Sequence, residues 1–402
     1  MGGILDGVTV LDLTRVLSGP YATMLLADMG ADVIKVEKPV TGDDSRSFGP
    51  FVNGESVYFM SVNRNKRSVS IDLKTDEGKA LLMALAEKAD VIVENFRPGT
   101  MDRLGLGYDR LREKNERLIY AAISGFGQSG PYSERAAYDG IVQAMGGIMS
   151  ITGEKGGRPL RVGSSIGDII AGINCSCGIL AALVNREKTG KGALVDIAML
   201  DSIVAILENA IARYQVAEKD PAPDGNTHQS IFPFETFPTA SQDDIMIAAG
   251  NDSLWARLCE AIGRPGLAED ARLSTNPLRG ENHSYMYEQL SDALSAKTAE
   301  EWYDILTAVG VPSSPINRIS QVIENPQVQA RGMIQSFEHP RAGKVTVAGN
   351  PIKIGGDGAA EYGYSPAPML GADTLAVLRD ILGYDDNEIG ALSRAGAISC
   401  NQ

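Results

Sequence analysis

A single carboxylate, Asp168, stands in the stretch Arg161-Val-Gly-Ser-Ser-Ile-Gly-Asp168-Ile-Ile-Ala-Gly, with a glycine before it and a long apolar run after it. A carboxylate presented in such a turn can attack an acyl carbon and carry the acyl group as an anhydride. The same spacing also suits a cap, because Asp is a favoured N-cap and Ile169 to Val184 reads as a buried helix. The two roles are compatible. A helix N-terminus stabilises negative charge, and its free N–H groups would steady both an ionised nucleophile and an oxyanion beside it. Spacing alone does not choose between them.

The elements that would position Asp168 alternate strand and helix. Val8–Leu13, Asp32–Glu37, Arg67–Leu73, Asp90–Glu94, Leu118–Ser124 and Ala193–Ala198 read as strands. Pro20 opens a helix that Gly30 ends, and Thr75 caps a helix from Asp76 to Ala89, with Asp76 and Glu77 in its first turn. This alternation predicts an α/β fold with a parallel sheet covered on both faces. Ligands on such sheets bind beyond the carboxyl ends of the strands. There lie Thr14–Pro20, Glu37-Lys38, Asp72–Lys74 and Asn95–Gly99, expected as loops of one crevice.

A large Rossmann-like parallel-sheet domain is expected over 1–220. It ends in the Pro- and Gly-containing linker Asp220–Asn226. A smaller α+β domain follows over 221–330, with a strand at Ile245–Ala249 and helices near 253–263, 284–295 and 299–309. Strand signals return at Lys344–Val347 and Pro351–Ile354, and a helix near 373–382 brings 331–402 back to the first domain. Gly125-Phe-Gly127-Gln-Ser-Gly130 matches a dinucleotide fingerprint. Pro131 follows at once, so the turn opens no helix, and the glycines are read as letting backbone approach a ligand or another segment.

With 44% hydrophobic and 22% charged residues, the 402-residue chain has ordinary globular composition. A net charge of −14 without a basic patch argues against a nucleic-acid partner, and an anionic ligand must find local cations. No apolar run is expected to span a bilayer, and the start, Met1 to Val8, is read as no signal peptide and no myristoylation site, since position 6 is Asp. Cys175, Cys177, Cys259 and Cys400 form neither a disulfide framework nor a zinc pattern. They are expected as buried free thiols of a cytoplasmic protein, and no metal is expected.

Several segments in order resemble the class III CoA-transferase family: Leu5–Leu13, Gly30–Glu37, Asn65–Ser68, Val93–Gly99, Gly125–Gly127, Lys188–Gly192 and Pro366–Gly371. The resemblance covers nearly the whole chain. It implies an interlocked-ring homodimer and acyl-CoA as substrate, with no tightly bound cofactor and no membrane partner. It also implies Asp168 as the nucleophile, passing through aspartyl anhydride and aspartyl-CoA thioester intermediates from which water is excluded. Coenzyme A contacts carry over to Leu17, Ser18, Lys38, Ile71, Asp72, Leu73, Lys74, Asn95, Phe96, Arg97, Arg103 and Tyr138. Lys38, Lys74, Arg97 and Arg103 are cations suited to phosphates, although Lys and Arg most often serve as solvated surface charge.

The chain departs from the family's formyl-CoA:oxalate members. They have glutamine at Leu17, lysine at Ala136, and a four-glycine loop where this chain has Asn226–Phe234. Gly42–Pro50 looks more like members that use acetyl-CoA with oxalate or succinyl-CoA with a dicarboxylic acid. Arg46 and Arg161 are candidate readers of a second carboxylate, with structural salt bridges as the alternative, and His228 is a weaker substrate candidate. Two other functions stay open. The α-methylacyl-CoA racemases share this fold, but they place a histidine base at the position of Tyr138, and a phenol with a pKa of about 10 is a poor base at neutral pH. A CoA-binding protein without chemistry is the other.

Overall fold

The computed structural model describes residues 3–241, 243–355 and 363–399. They form two compact units, one within Met1–Ile148, Arg161–Ala212 and Gln329–Gln402, the other within Met149–Leu160 and Arg213–Val328. The excursion 149–160, expected in the first domain, thus belongs to the second unit. Leu160 N–H donates to Thr152 O at 2.8 Å, and Gly225 N–H from the linker donates to Gly153 O at 3.1 Å. No periodicity in the sequence reports such a closure.

In the first unit β1 (Thr9–Asp12), β2 (Asp32–Glu37), β3 (Lys66–Ser70), β4 (Val91–Glu94), β5 (Ile119–Ser124) and β6 (Leu194–Ala198) form one parallel sheet. Its order is β3-β2-β1-β4-β5-β6, so the winding reverses between β1 and β4, where such sheets open a crevice. Successive strand residues face opposite layers. Val10, Val33, Val91 and Ile119 pack with Ala22 and Leu26 of α1 (Ser18–Asp28). Leu11, Ile34 and Ile92 pack with Leu81, Leu82 and Leu85 of α2 (Asp76–Lys88), which Thr75 caps by accepting the Gly78 N–H at 3.0 Å. The helix expected to open at Pro20 begins at Ser18. Pro20 then falls in the first turn, where its missing N–H leaves no intrahelical bond unmade.

Beyond β5 come α3 (Asp139–Met145), α4 (Ile166–Thr189) and, after β6, α5 (Met199–Ala205). Three expectations about α4 need correction. It begins at Ile166, so Asp168 lies inside its first turn and is not the N-cap. The missing cap comes from α3, where Asp139 Oδ1 accepts the Gly167 N–H at 2.8 Å. Secondly, the 24-residue α4 is long and apolar enough, by length and composition, to cross a bilayer. Here its small face, Ala171, Gly172, Cys175 and Ser176, is buried, and the helix packs on α1, α5, β5 and β6. Thirdly, its other face is open: Cys177 is exposed, whereas Cys175 and Cys259 are buried. Cys400, Met1 and Gly2 lie outside the described residues.

In the second unit β7 (Phe234–Pro238), β8 (Asp244–Ala248) and β9 (Ser313–Pro315) form an antiparallel sheet in the order β9-β8-β7. It shares a core with α6 (Asp252–Ala261), α7 (His283–Leu294) and α8 (Ala299–Ala308), built on Phe237, Ile245, Trp255, Leu290 and Trp302. The first unit resumes with a hairpin, β10 (Ile334–His339) and β11 (Gly343–Ala348). The strand expected at Pro351–Ile354 does not form, because β11 pairs with the segment before it. Finally α9 (Thr374–Leu382) lies on α2 and β3.

Candidate active site

Asp168 is brought to the sheet by close contact between α1 and α4. Gly172, one turn beyond Asp168, carries no side chain, and a Cβ there would lie 2.7 Å from Ser18 O. Ser176, a turn further on, donates its hydroxyl to Ala22 O at 3.0 Å. These small residues let the start of α1 reach the start of α4, and Ser18 meets the Asp168 carboxylate. Burial raises the Asp168 pKa, the Asp139 carboxylate raises it further, and the Ser18 hydroxyl and N–H draw it down. The outcome is a value near neutrality, about 7. Among the described residues Asp168 has no ion-pair partner.

The segment that delivers Ser18 is tied down at each residue. Thr14 N–H donates to Asp12 Oδ1 at 2.9 Å, and Thr14 O accepts from Lys35 Nζ at the same distance. Arg15 N–H donates to Asn95 Oδ1 at 2.8 Å. Val16, with φ of 66°, holds a left-handed conformation that β-branched residues avoid, and its N–H donates to Asp43 Oδ1 at 3.1 Å. Beneath lies a buried charge network. Lys66 Nζ meets Asp12 Oδ2, and Lys35 Nζ meets Asp43 Oδ2, each at 2.9 Å. Burial alone would raise the Asp12 pKa, but the Lys35 and Lys66 ammonium groups outweigh it and hold the carboxyl well below its usual range. Asp43 is likewise raised by burial and overruled by Lys35, down to about 2. The charges of Asp12 and Lys35 in largely apolar strands, and of Lys66 at the start of β3, are the sequence signal for this network, and no motif marks Asp43.

Two cavities open at the carboxyl ends of the strands, both lined by Arg15. One, of about 210 Å³, holds Asp168 with Leu17, Ser18, Asn95, Arg97, Arg135 and Tyr138. The other, of about 240 Å³, is lined by Lys38, Asp72, Leu73, Lys74 and Phe96. The four expected loops therefore do surround one region. Ile71 also lines the second cavity, but it is buried in the core and bridges to Ile398. Lys38 Nζ is held by Asp44 Oδ1 at 3.0 Å. Arg103 lines neither cavity; its Nη2 donates to Thr100 Oγ1 at 3.0 Å.

The weaker substrate candidates stand elsewhere. Arg46 grips Glu37 with two hydrogen bonds of 2.7 Å, donates to Pro368 O, and lies 3.7 Å over the Phe59 ring. This is the structural salt bridge, and the fork that would face a second carboxylate is already engaged. Arg161 faces Asp139 Oδ2 at 3.7 Å. His228, in the second unit, accepts the Ser230 and Ile231 N–H groups at Nδ1, each at 3.1 Å, and stacks on Phe234. Asp139 and Arg135, neighbours of Tyr138, carry no motif of their own, and only the fold sets Asp139 close enough to act on Asp168 and Arg135 in the wall of the same cavity. Among the described residues no group of three or more His, Cys, Asp or Glu is placed to hold a metal ion.

A doubly wound sheet with a carboxylate in the crevice beyond its strand ends defines a ligand-binding α/β fold. The sequence model of CoA-transferase family III matches residues 5–374, and the chain belongs to that family of enzymes. It is 40% identical over 395 residues to the human succinyl-CoA:glutarate CoA-transferase, covering 98% of this chain and 90% of that protein. It is 44% identical over 355 residues to the acetyl-CoA:oxalate CoA-transferase of Acetobacter aceti, covering 88% and 90%. A crystal structure of a CAIB/BAIF family protein from Brucella suis superposes with a TM-score of 0.84 at 36% identity, covering 95% of this chain and 100% of that one.

Proposed function

We propose that this enzyme moves coenzyme A from a donor such as acetyl-CoA or succinyl-CoA to a small dicarboxylic acid, with Asp168 as the nucleophile. An Asp168 oxygen attacks the acyl carbon, the C–S bond breaks, and coenzyme A leaves as thiolate. The thiolate attacks the aspartyl carbonyl, releases the donor acid and leaves an aspartyl-CoA thioester. The acceptor carboxylate attacks that carbonyl and expels the thiolate, which then takes the new acyl group and returns Asp168 as a carboxylate. No water enters, so the thioester's free energy passes to the new acid. Neither a metal nor a tightly bound cofactor is called on.

The observation that carries this reading is the unpaired Asp168, desolvated against Ser18 at a helix N-terminus, with a pKa of about 7. A carboxylate without a counter-ion keeps its lone pairs for an electrophile. The names of the similar proteins support dicarboxylic acids as acceptors. We further propose a homodimer, supported by the apolar side chains of Ile141, Met145, Ile173, Val184 and Val204, all exposed on α3, α4 and α5.

Hydroxylamine added during turnover should trap an Asp168 hydroxamate, seen as a mass change on the peptide that contains it. Asp168→Ala should give none and lose about 1000-fold or more in transfer rate. Residual transfer above a tenth of wild type would remove Asp168 from the mechanism. Proton exchange at the acyl α-carbon without any acceptor acid would instead mark a racemase.

A further inference from the structure

We propose that Arg135 reads the far carboxylate of the dicarboxylic acid at the Asp168 cavity. The proposal rests on the transferase reading above and assigns the acid-selecting residue within it. Arg135 lines the same cavity as Asp168 and Ser18. The two arginines first considered for this task are placed otherwise, Arg46 gripping Glu37 and Arg161 facing Asp139, and Arg15, which lines the same cavity, pairs with Asp44 at 2.7 Å. Among the described residues Arg135 makes no ion pair. Arg97 also lines the cavity, but it sits on the Asn95–Gly99 loop, which is assigned to coenzyme A.

The guanidinium of Arg135 is oriented before any ligand arrives. It lies 3.8 Å over the Tyr132 ring, and Tyr132 packs edge-on against Phe126 with centroids 6.0 Å apart. The Arg135 N–H donates to Tyr132 O at 2.9 Å. Stacking occupies the face of the guanidinium and leaves its N–H edges for a carboxylate, which they match in a bidentate pair. The segment is seated by Gly125. A Cβ there would lie 2.4 Å from the Ala137 Cβ, so only glycine lets the chain around Ala137 cross the end of β5. In a protein of net charge −14, an unpaired cation lining the same cavity as Asp168 gives a dianionic acid a local partner. With one carboxylate on Arg135, the other can bond to the aspartyl carbonyl as the C–S bond breaks and coenzyme A thiolate leaves.

The test compares glutarate with pentanoate, which has a methyl group in place of the second carboxylate. The acyl-CoA donor is the same in both arms, so its own effect cancels. In Arg135→Ala the ratio of kcat/KM for glutarate over pentanoate should fall by about tenfold or more, the scale of a lost charged hydrogen bond, mainly through KM. Arg135→Lys, which keeps the charge but not the fork, should fall between wild type and the alanine variant. Arg135 is exposed, so the variants should fold, as circular dichroism would verify. A smaller change in Arg135→Ala overturns the assignment while leaving the transferase reading intact. A wild-type enzyme that moves coenzyme A to no carboxylic acid overturns both.

Discussion

Asp12 and Asp168 are carboxylates of the same unit, the first fully buried and the second half-buried at a cavity wall, and they are treated in opposite ways. Asp12 accepts from Thr14, Thr23 and Lys66 and lies under the field of two ammonium groups. It is fixed as an anion with its lone pairs occupied, and it serves as a mounting for the loop above. Asp168 has burial and a second carboxylate working against its charge, with only Ser18 and the start of α4 in its favour. Burial alone therefore does not set the charge state of a carboxylate in this protein. What separates the two is the missing cation, which is what the proposed nucleophilic role of Asp168 rests on.

The contrast is broken most severely by removing one of the two cations from Asp12. Lys66 Nζ donates to Asp12 Oδ2, Pro20 O and Asn63 Oδ1. Lys66→Met should cost about 3–5 kcal/mol of stability, because Asp12 loses its hydrogen-bonded cation inside the fold and Lys35 is left to balance both Asp12 and Asp43. Chemical denaturation measures it, and a loss below about 1 kcal/mol would show that Lys35 alone suffices to hold Asp12.

Next in size is pH. In the proposed mechanism only the ionised Asp168 attacks, so the acylation rate should rise with pH up to about 7, roughly tenfold per unit below that, and then level off. Stability responds with opposite signs at the two carboxylates. The native state holds the Asp168 proton more tightly than the unfolded chain does, so this group's contribution falls as pH rises from the ordinary Asp value towards 7. Asp12, with its pKa lowered, stabilises above the unfolded Asp value and loses that contribution as pH falls through its own native value. A flat rate between pH 5 and 7 would contradict the desolvated nucleophile.

The smallest effect belongs to Asp139. An amide at this position still accepts the Gly167 N–H and removes the like charge. Asp139→Asn should therefore move the midpoint of the rate profile down by less than about one unit, since burial is the larger cause. An upward shift would mean that Asp139 acts on Asp168 other than through its charge.

Much of the frame was legible because it rests on local chemistry. Apolar β-branched runs separated by Thr75, Gly30 and Pro20 mark strands and helices, and strands alternating with helices leave little choice but a parallel sheet. The start of α4 was not legible. Asp168 matches a cap by type, but the residue that receives the cap is Gly167 and the acceptor is Asp139, held on another helix. The engagement of Arg46 by Glu37 was equally hidden, since Glu37 ends β2 and the Asp43–Ser47 turn folds back onto it. Arg135 shows the converse. No motif marks it, and its place in the cavity wall follows from a glycine ten residues earlier that lets its loop cross a strand end.

The sequence by itself determined the α/β class and the loops that face the crevice, and it offered Asp168 as a candidate, because periodicity, caps and residue type act over a few positions. The tertiary structure alone decided which charges are neutralised and which are left free. Ion pairing and desolvation depend on distances of a few ångströms between residues far apart in the chain. The packing of α1 on α4 and the network under β1 set those distances.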